Sequence, residues 1–309
     1  MTICKDNEQF RQITDISVVA QVIRSNITFL LHSFFYENKY MLVDPPVLHE
    51  QIPNKKHEIY LPLYENRYSL NSSNALYLAA YSSIFERVYA ISSSFRAEQE
   101  SINHLLEFRM LEVEVQDMSY DELTDFIERL IVFLLSELTV LPEIQKMPAV
   151  LKRIHSLLDN FHPRRISYTE FLSELRSAGY QIADNVDLSD IDYIVSQYID
   201  TPVFIMDYPK RLATWTAKPK NGTDMCAINL ILPDTYGELC EGCERTNDST
   251  LLQFKMKCAN IDNLQWYLDA VKKIQKPRCG FGIGIDRLVR WIVGTSHIKN
   301  TVLFSRMSL

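Results

Sequence analysis

Several things are scarce in this chain. Only eight of its 309 residues are glycine, and there is no low-complexity tract. That argues against a disordered or fibrous polymer. No apolar run reads as a membrane span, and the opening residues MTICKDNEQF lack the basic, apolar and small-residue blocks of a secretory leader. The expectation is a cytoplasmic protein without membrane association. The six cysteines show no framework of paired spacings. Cys240 and Cys243 form a lone CxxC, and Cys4, Cys226, Cys258 and Cys279 form no second one, so a zinc site is short of ligands. Basic charge is also in deficit. With 32 Lys and Arg against 39 Asp and Glu, the net charge is −7, which supplies no global attraction to nucleic acid.

Apolar residues are plentiful, at 47% of the chain, enough for a sizeable core. From about Ile16 to Tyr36 they recur with helical spacing. A short strand, Met41 to Val43, follows and stops at Asp44-Pro45-Pro46. Leu48 to Glu58 reads as a polar loop, and Ile59 to Leu70 as paired strands turning at Glu65-Asn66. A helix runs on to Phe85, with Ser73 or Asn74 as its cap. Ser119 and Glu122 have the spacing of a capping box before a second apolar helix that ends at Leu141-Pro142. Thr201 to Tyr208 is a buried strand, Asn221-Gly222 a hairpin turn, Met225 to Leu232 a further strand, and Asn263 to Ile274 a helix. His162, in Phe161-His162-Pro163, reads as a loop residue and not a ligand.

The stretch that organises the chain is Val88 to Val115. It reads as a strand, a polar turn at Gln99 to Asn103, and a second strand in which alternate residues face opposite ways. Leu106, Phe108, Met110, Glu112 and Glu114 share one face; Glu107, Arg109, Leu111, Val113 and Val115 share the other. The first face passes from apolar and aromatic to acidic, which suits a flat polar ligand. Arg96 ends the first strand, where its guanidinium can fork onto an anionic oxygen. Near the C-terminus Gly280-Phe-Gly-Ile-Gly-Ile-Asp286-Arg287 has GxGxG spacing, so the dinucleotide fingerprint fails. Its glycines let a strand pass close to a ligand.

These blocks resemble class II aminoacyl-tRNA synthetases, most closely the asparaginyl/aspartyl branch. Phe95-Arg96-Ala97-Glu98, His104-Leu105 and Glu107-Phe108 with the following MLEVE are similar to motif 2. Gly280 to Gly294 is similar to motif 3, and the Ile16–Tyr36 helix with Pro46 to motif 1, the family's dimer-forming element. Phe161 to Tyr168 resembles a shared segment, and Phe304-Ser305-Arg306 the family's terminus. The resemblance implies an α+β fold, with a mainly antiparallel sheet flanked by helices, forming one catalytic domain over residues 1–309. About fifteen residues precede motif 1, too few for an anticodon-binding barrel. The expectation is a free-standing homodimeric paralogue.

The resemblance also implies roles. Arg96, Glu98, His104, Phe108, Glu238 and Arg287 would bind ATP, with Arg96, Arg287 and Glu238 catalytic. Gly237 to Arg245 resembles the family's Gly-Glu-x-x-Gly-Gly-Ser-x-Arg block, in which Arg245 would grip the substrate's side chain and Glu238 would hold magnesium. Asn229 stands where relatives often have a magnesium-binding aspartate, a weaker hard-cation ligand, and Cys243 replaces the serine. In the Ser-x-Gln-Leu signature that holds the substrate's amino group, Ser73 matches, but Ala75 replaces the glutamine. Leu78 replaces the lysine of aspartate-specific enzymes. These departures point away from ordinary aspartate. The implied activity is an ATP- and Mg²⁺-dependent ligase that activates a small carboxylic or amino acid as an acyl-adenylate and passes it to ammonia or an amine, as asparagine synthetases on this core do. The alternatives are a truncated synthetase charging tRNA and a regulatory protein that binds an amino acid or nucleotide. The acidic charge makes tRNA the less expected acceptor.

Overall fold

The structure, a computed structural model, describes residues 14–50, 58–63, 66–98, 101–183, 186–187, 191–258, 261 and 264–304. The chain opens with α1 (Asp15–Glu37), β1 (Met41–Leu42), β2 (Leu48–Glu50), β3 (Tyr60–Leu63) and β4 (Asn66–Leu70). Next come α2 (Ala75–Phe85) and the long hairpin β5 (Arg87–Phe95) and β6 (Glu107–Gln116). Then follow α3 (Tyr120–Val140), α4 (Pro142–Gln145), α5 (Pro148–Asp159), β7 (Arg164–Ser167), α6 (Tyr168–Ser177) and α7 (Asp192–Tyr198). The C-terminal part holds β8 (Val203–Pro209), β9 (Asp224–Leu232), β10 (Gly237–Arg245), α8 (Ser249–Cys258), α9 (Gln265–Val271), β11 (Arg278–Gly284) and α10 (Ile285–Val293). A 3-10 turn at Ile298–Thr301 closes it.

Eight strands form one sheet in the order β1-β5-β6-β11-β10-β9-β8-β7. Its five inner pairings are antiparallel, while β1 on β5 and β7 on β8 are parallel, so the sheet is mixed with an antiparallel centre. The expected α+β architecture is present. One face packs on α1, α3, α5 and α10 through the largest core cluster, including Phe35, Leu111, Leu130, Phe281 and Val289. The other is covered at the β7–β9 end by α6 and α7, and beyond β5 and β6 by α2, α8 and α9. The middle of that second face is open, and there the pocket lies.

Local signals set the long helices. Thr14 and Ser17 make a capping box for α1, and Ser119 and Glu122 make the expected one for α3. Ser167 and Glu170 make a third, which caps α6. Helix α1 is long and apolar enough to cross a membrane by composition, contrary to the sequence reading. Its Ile23, Ile27, Leu31 and Phe35 are instead buried in the core, and Arg24 pairs with Asp286 on α10.

Three sequence readings change. Leu48–Glu50 is a strand, not a loop, because β4 offers it a partner edge: β2, β4 and β3 form a separate three-stranded sheet. Asn74 does precede α2, but its side chain makes no cap and is drawn instead to Glu112. The C-terminal helix is shorter than read, Gln265–Val271. Glu65 of the expected turn, Gln99 and Glu100 of the β5–β6 loop, Asn263, and Ser305-Arg306 lie outside the described residues.

Candidate active site

The floor of the pocket is built from glycine. Strand β11 runs between β6 and β10, and its pocket-facing positions are Gly280, Gly282 and Gly284. Gly282 is flanked by Glu112 on β6 and by Glu241 on β10, and Glu241 in turn pairs with Asn229 on β9. A Cβ on Gly280 would lie 2.0 Å from Glu114 Oε2 and 2.5 Å from Arg245 Nη2, so only glycine lets those side chains meet across β11. The result is a trench of about 1080 Å³, open mouth included. A β-bulge between Glu238 and Cys240 turns Glu238 onto the same face as Glu241 and Arg245.

Every residue singled out in the sequence for ATP or substrate borders this pocket, Asn229 excepted, which touches it through Glu238. At one end Arg96 lies over the Phe108 ring, 5.4 Å from its centroid, and donates to Ser72 O at 3.4 Å. Its Nη1 is 3.9 Å from Glu98. At the mouth Arg287 donates to Glu238 O at 2.5 Å and meets His104 Nε2 at 3.0 Å. Because the guanidinium has only donors, Nε2 accepts, and the ring proton is assigned to Nδ1, which is 2.7 Å from Ser101 Oγ. Arg290 beneath donates to Asn103 Oδ1 and to the carbonyls of Thr235 and Ser296, which fixes the loop that carries His104.

At the other end, Glu114 is fully buried between two arginines: it accepts from Arg278 at 2.6 Å and from Arg245 Nε at 3.3 Å. Arg245 also donates to Thr216 Oγ1 at 2.9 Å and touches Cys243 Sγ at 3.1 Å, leaving Nη2 toward the trench. Burial alone would lower the Arg245 pKa, but Cys243 and Glu114 outweigh it and hold the charge in place. Cys240 and Cys243 face opposite sides of β10, both buried, and burial raises both thiols. This CxxC is core packing, and the described residues hold no cluster of three His, Cys, Asp or Glu able to bind a metal.

Sequence reasoning gave no partner or role to three carboxylates, although it set Glu112 on the ligand-facing side of its strand. Glu112 is buried and accepts Ser73 Oγ at 2.6 Å, Asn74 N at 2.9 Å and Asn74 Nδ2 at 2.8 Å, at the N-terminus of α2 where a negative charge is favoured. Ser73 is thus in the pocket, tied to Glu112. Ala75 and buried Leu78 add an apolar wall beside it. Asp286, 2% exposed, takes Arg24 at 2.5 Å and the Arg109 amide at 2.6 Å, locking α10 to α1 and β6. Glu241 projects into the trench. The alternation along β6 marks Glu112 as pocket-facing, but its partners come from an element thirty-eight residues away.

For a magnesium ion the donors are Glu238 and Asn229. The Asn229 Nδ2 donates to Glu238 Oε2 at 2.5 Å, so Asn229 orients the carboxylate as a donor, while Glu238 Oε1 faces the trench 4.0 Å from Arg287. One carboxylate plus ligand phosphates fits the usual way magnesium is held.

The sequence profile described as tRNA synthetases class II (D, K and N) matches residues 16–308. The chain belongs to that family. Among solved structures it is similar to asparaginyl-tRNA synthetase from Pyrococcus horikoshii complexed with asparaginyl-adenylate. The TM-score is 0.86 at 26% identity, over 96% of this chain and 70% of that one. The asparaginyl-tRNA synthetase of Entamoeba histolytica, also in complex with asparaginyl-adenylate, superposes with TM-score 0.84 at 22% identity, over 99% and 72%. Aspartyl-tRNA synthetase from the same organism gives 0.77 at 20% identity, over 100% and 63%. The latter two identities speak for the class II synthetase fold alone. The trench over β11 is therefore the candidate active site of a class II synthetase core.

Proposed function

We propose that this chain is an ATP-dependent ligase that activates the carboxylate of an aspartate- or asparagine-like acid as an acyl-adenylate, and transfers the acyl group to ammonia or a small amine. The observation that carries the adenylation step is the placement of Arg96, His104 and Arg287 around Phe108 along one side of the trench. The substrate carboxylate attacks the α-phosphorus, a C–O–P linkage forms, and pyrophosphate leaves. Negative charge grows on the phosphate oxygens, where Arg96 would stabilise it; His104 and Arg287 would hold the distal phosphates. Phe108 would stack on adenine, displacing Arg96 from that face, with Glu98 at the purine edge. Magnesium, when bound on Glu238, would neutralise phosphate charge, and Asn229 would keep Glu238 oriented. Arg245 would reach the far end of the acid through Nη2.

The apolar Ala75 and Leu78 beside Ser73 support an acid other than ordinary aspartate, since neither can pair a carboxylate. The small-amine acceptor is supported by the net charge of −7 and by basic residues that occur only in short clusters, such as Arg164-Arg165 and Lys272-Lys273. A second reading, transfer to tRNA, is favoured by the activities named for the structural neighbours. The test supplies ATP and candidate acids, then ammonium, small amines or total tRNA separately. Amide formation with AMP release and no acid-precipitable aminoacyl-tRNA is expected. Efficient tRNA charging with no amide from any amine would replace this reading with the second.

A further inference from the structure

Four glutamates line the trench, and three have partners. Glu98 faces Arg96 at 3.9 Å. Glu112 is saturated by Ser73 and Asn74. Glu238 accepts from Asn229. The Glu241 carboxylate has no hydrogen bond or ion pair among the described residues. It stands across Gly282 from Glu112, with only a glycine between the two strands that carry them. The block that this stretch resembles has glycine at this place, so the backbone needs no side chain here.

Glu241 is exposed to solvent in the open trench, so its carboxylate is accessible to a donor or cation that enters. The neighbouring arginine makes no hydrogen bond or ion pair to it: Arg245 Nε and Nη1 are engaged by Glu114, Thr216 and Cys243, and its Nη2 is left for the acid. A second orphan lies in the core cluster beside the trench. Tyr208, 5% exposed on β8, has a hydroxyl with no hydrogen-bond partner. Burial raises its pKa first, and Glu238 and Glu241 raise it further. A divalent cation shared by Glu238 and Glu241 is disfavoured by Asn229, which turns an N–H donor and not an oxygen toward Glu238. A primary ammonium suits all of it: three N–H donors, a single charge, and space above Gly282 to stand in.

We propose that Glu241 is the ammonium-recognition residue of this pocket, holding a primary ammonium over Gly282 that belongs either to the activated acid or to the amine acceptor. This rests on the adenylation reading above and gives its substrate class: one of the two organic partners is a cation at this point. Glu112, already filled, cannot supply the same contact without breaking its bonds to the start of α2.

The test is a binding measurement, so it does not depend on turnover. In one arm, calorimetry with a non-hydrolysable ATP analogue compares acids that differ only in the amino group, aspartate against succinate and asparagine against succinamate. In the other, the rise in unfolding temperature with ammonium or methylammonium chloride is compared with equal sodium chloride. The wild type should favour the ammonium-bearing ligand in one arm, by about tenfold or more in affinity where the acid carries it. Glu241→Gln should collapse that preference, and Glu241→Asp should keep part of it. A wild type with no preference in either arm, or a preference that survives Glu241→Gln, overturns the proposal. So does a Glu241→Gln variant in which only magnesium affinity changes. If the preference is present while no acid supports ATP–pyrophosphate exchange, the adenylation reading fails and the ammonium site stands.

Discussion

Glu114 shows how one residue holds both structure and site. It is fully buried, paired to Arg278 and Arg245, and the meeting is possible only because position 280 lacks a side chain. Removing one member of such a set leaves buried charge unpaired, which costs about 3–5 kcal/mol. Glu114→Gln should lower unfolding free energy by about that amount in urea titrations; a change below about 1 kcal/mol would mean the pair is far better solvated than its burial indicates. Gly280→Ala should act on the same network by pushing Arg245 and Glu114 apart. At this scale the sequence was half legible. Arg96, His104, Phe108, Glu238 and Arg287 stand in recognisable blocks, and the fold brings them together. The roles of Glu241 and Asp286 were not legible, and of Glu112 only the side it faces was, because their partners come from cross-strand register, from one bulge and from contact with α1 or α2, none of which leaves a local pattern.

Among the elements, capping is the clearest link from sequence to structure. The Ser119–Glu122 box of α3 was readable from spacing alone, and Ser119 holds the Glu122 carboxyl below its usual pKa, through its side chain and then its backbone amide. A depressed folded pKa adds stability above the unfolded pKa and loses it as pH falls through the folded value. Ser119→Ala should therefore lower the unfolding midpoint at neutral pH, and the difference from wild type should shrink in acid. An equal difference at both pH values would remove the carboxylate from the cap. Strand β2 escaped the sequence reading for a physical reason: Leu48–Glu50 carries no alternation of its own and becomes a strand only because β4 presents an edge. The glycines of β11 imply a close approach to a ligand; what the structure brings close to them is the protein's own Glu114, Arg245 and Met110.

For the whole molecule, six of the exposed apolar side chains stand on α1, on edge strand β1 and at the end of α2. Val18, Phe29 and Tyr36 stand on the outer stripe of α1, Met41 and Leu42 on edge strand β1, and Ile84 at the end of α2. Exposed apolar surface next to an open strand edge is what a two-fold pairing covers. A homodimer is therefore expected, and sedimentation at micromolar concentration should show one. A monomer that persists there, or a dimer that survives Phe29→Glu with Met41→Glu, would place the contact elsewhere or remove it. The fold was legible because two separated blocks carried it; the acceptor was not, since ammonia and a tRNA end both ask only for an open trench mouth.

The most direct measurement is acid-dependent exchange of labelled pyrophosphate into ATP, run with a panel of aspartate- and asparagine-like acids on the wild type and on Arg96→Ala. The account predicts exchange with at least one acid and a loss of about 10²–10³ in rate for the variant, the scale of removing one preorganised oxyanion donor. No exchange with any acid by a folded protein that binds ATP, or an Arg96→Ala rate near wild type, would contradict it.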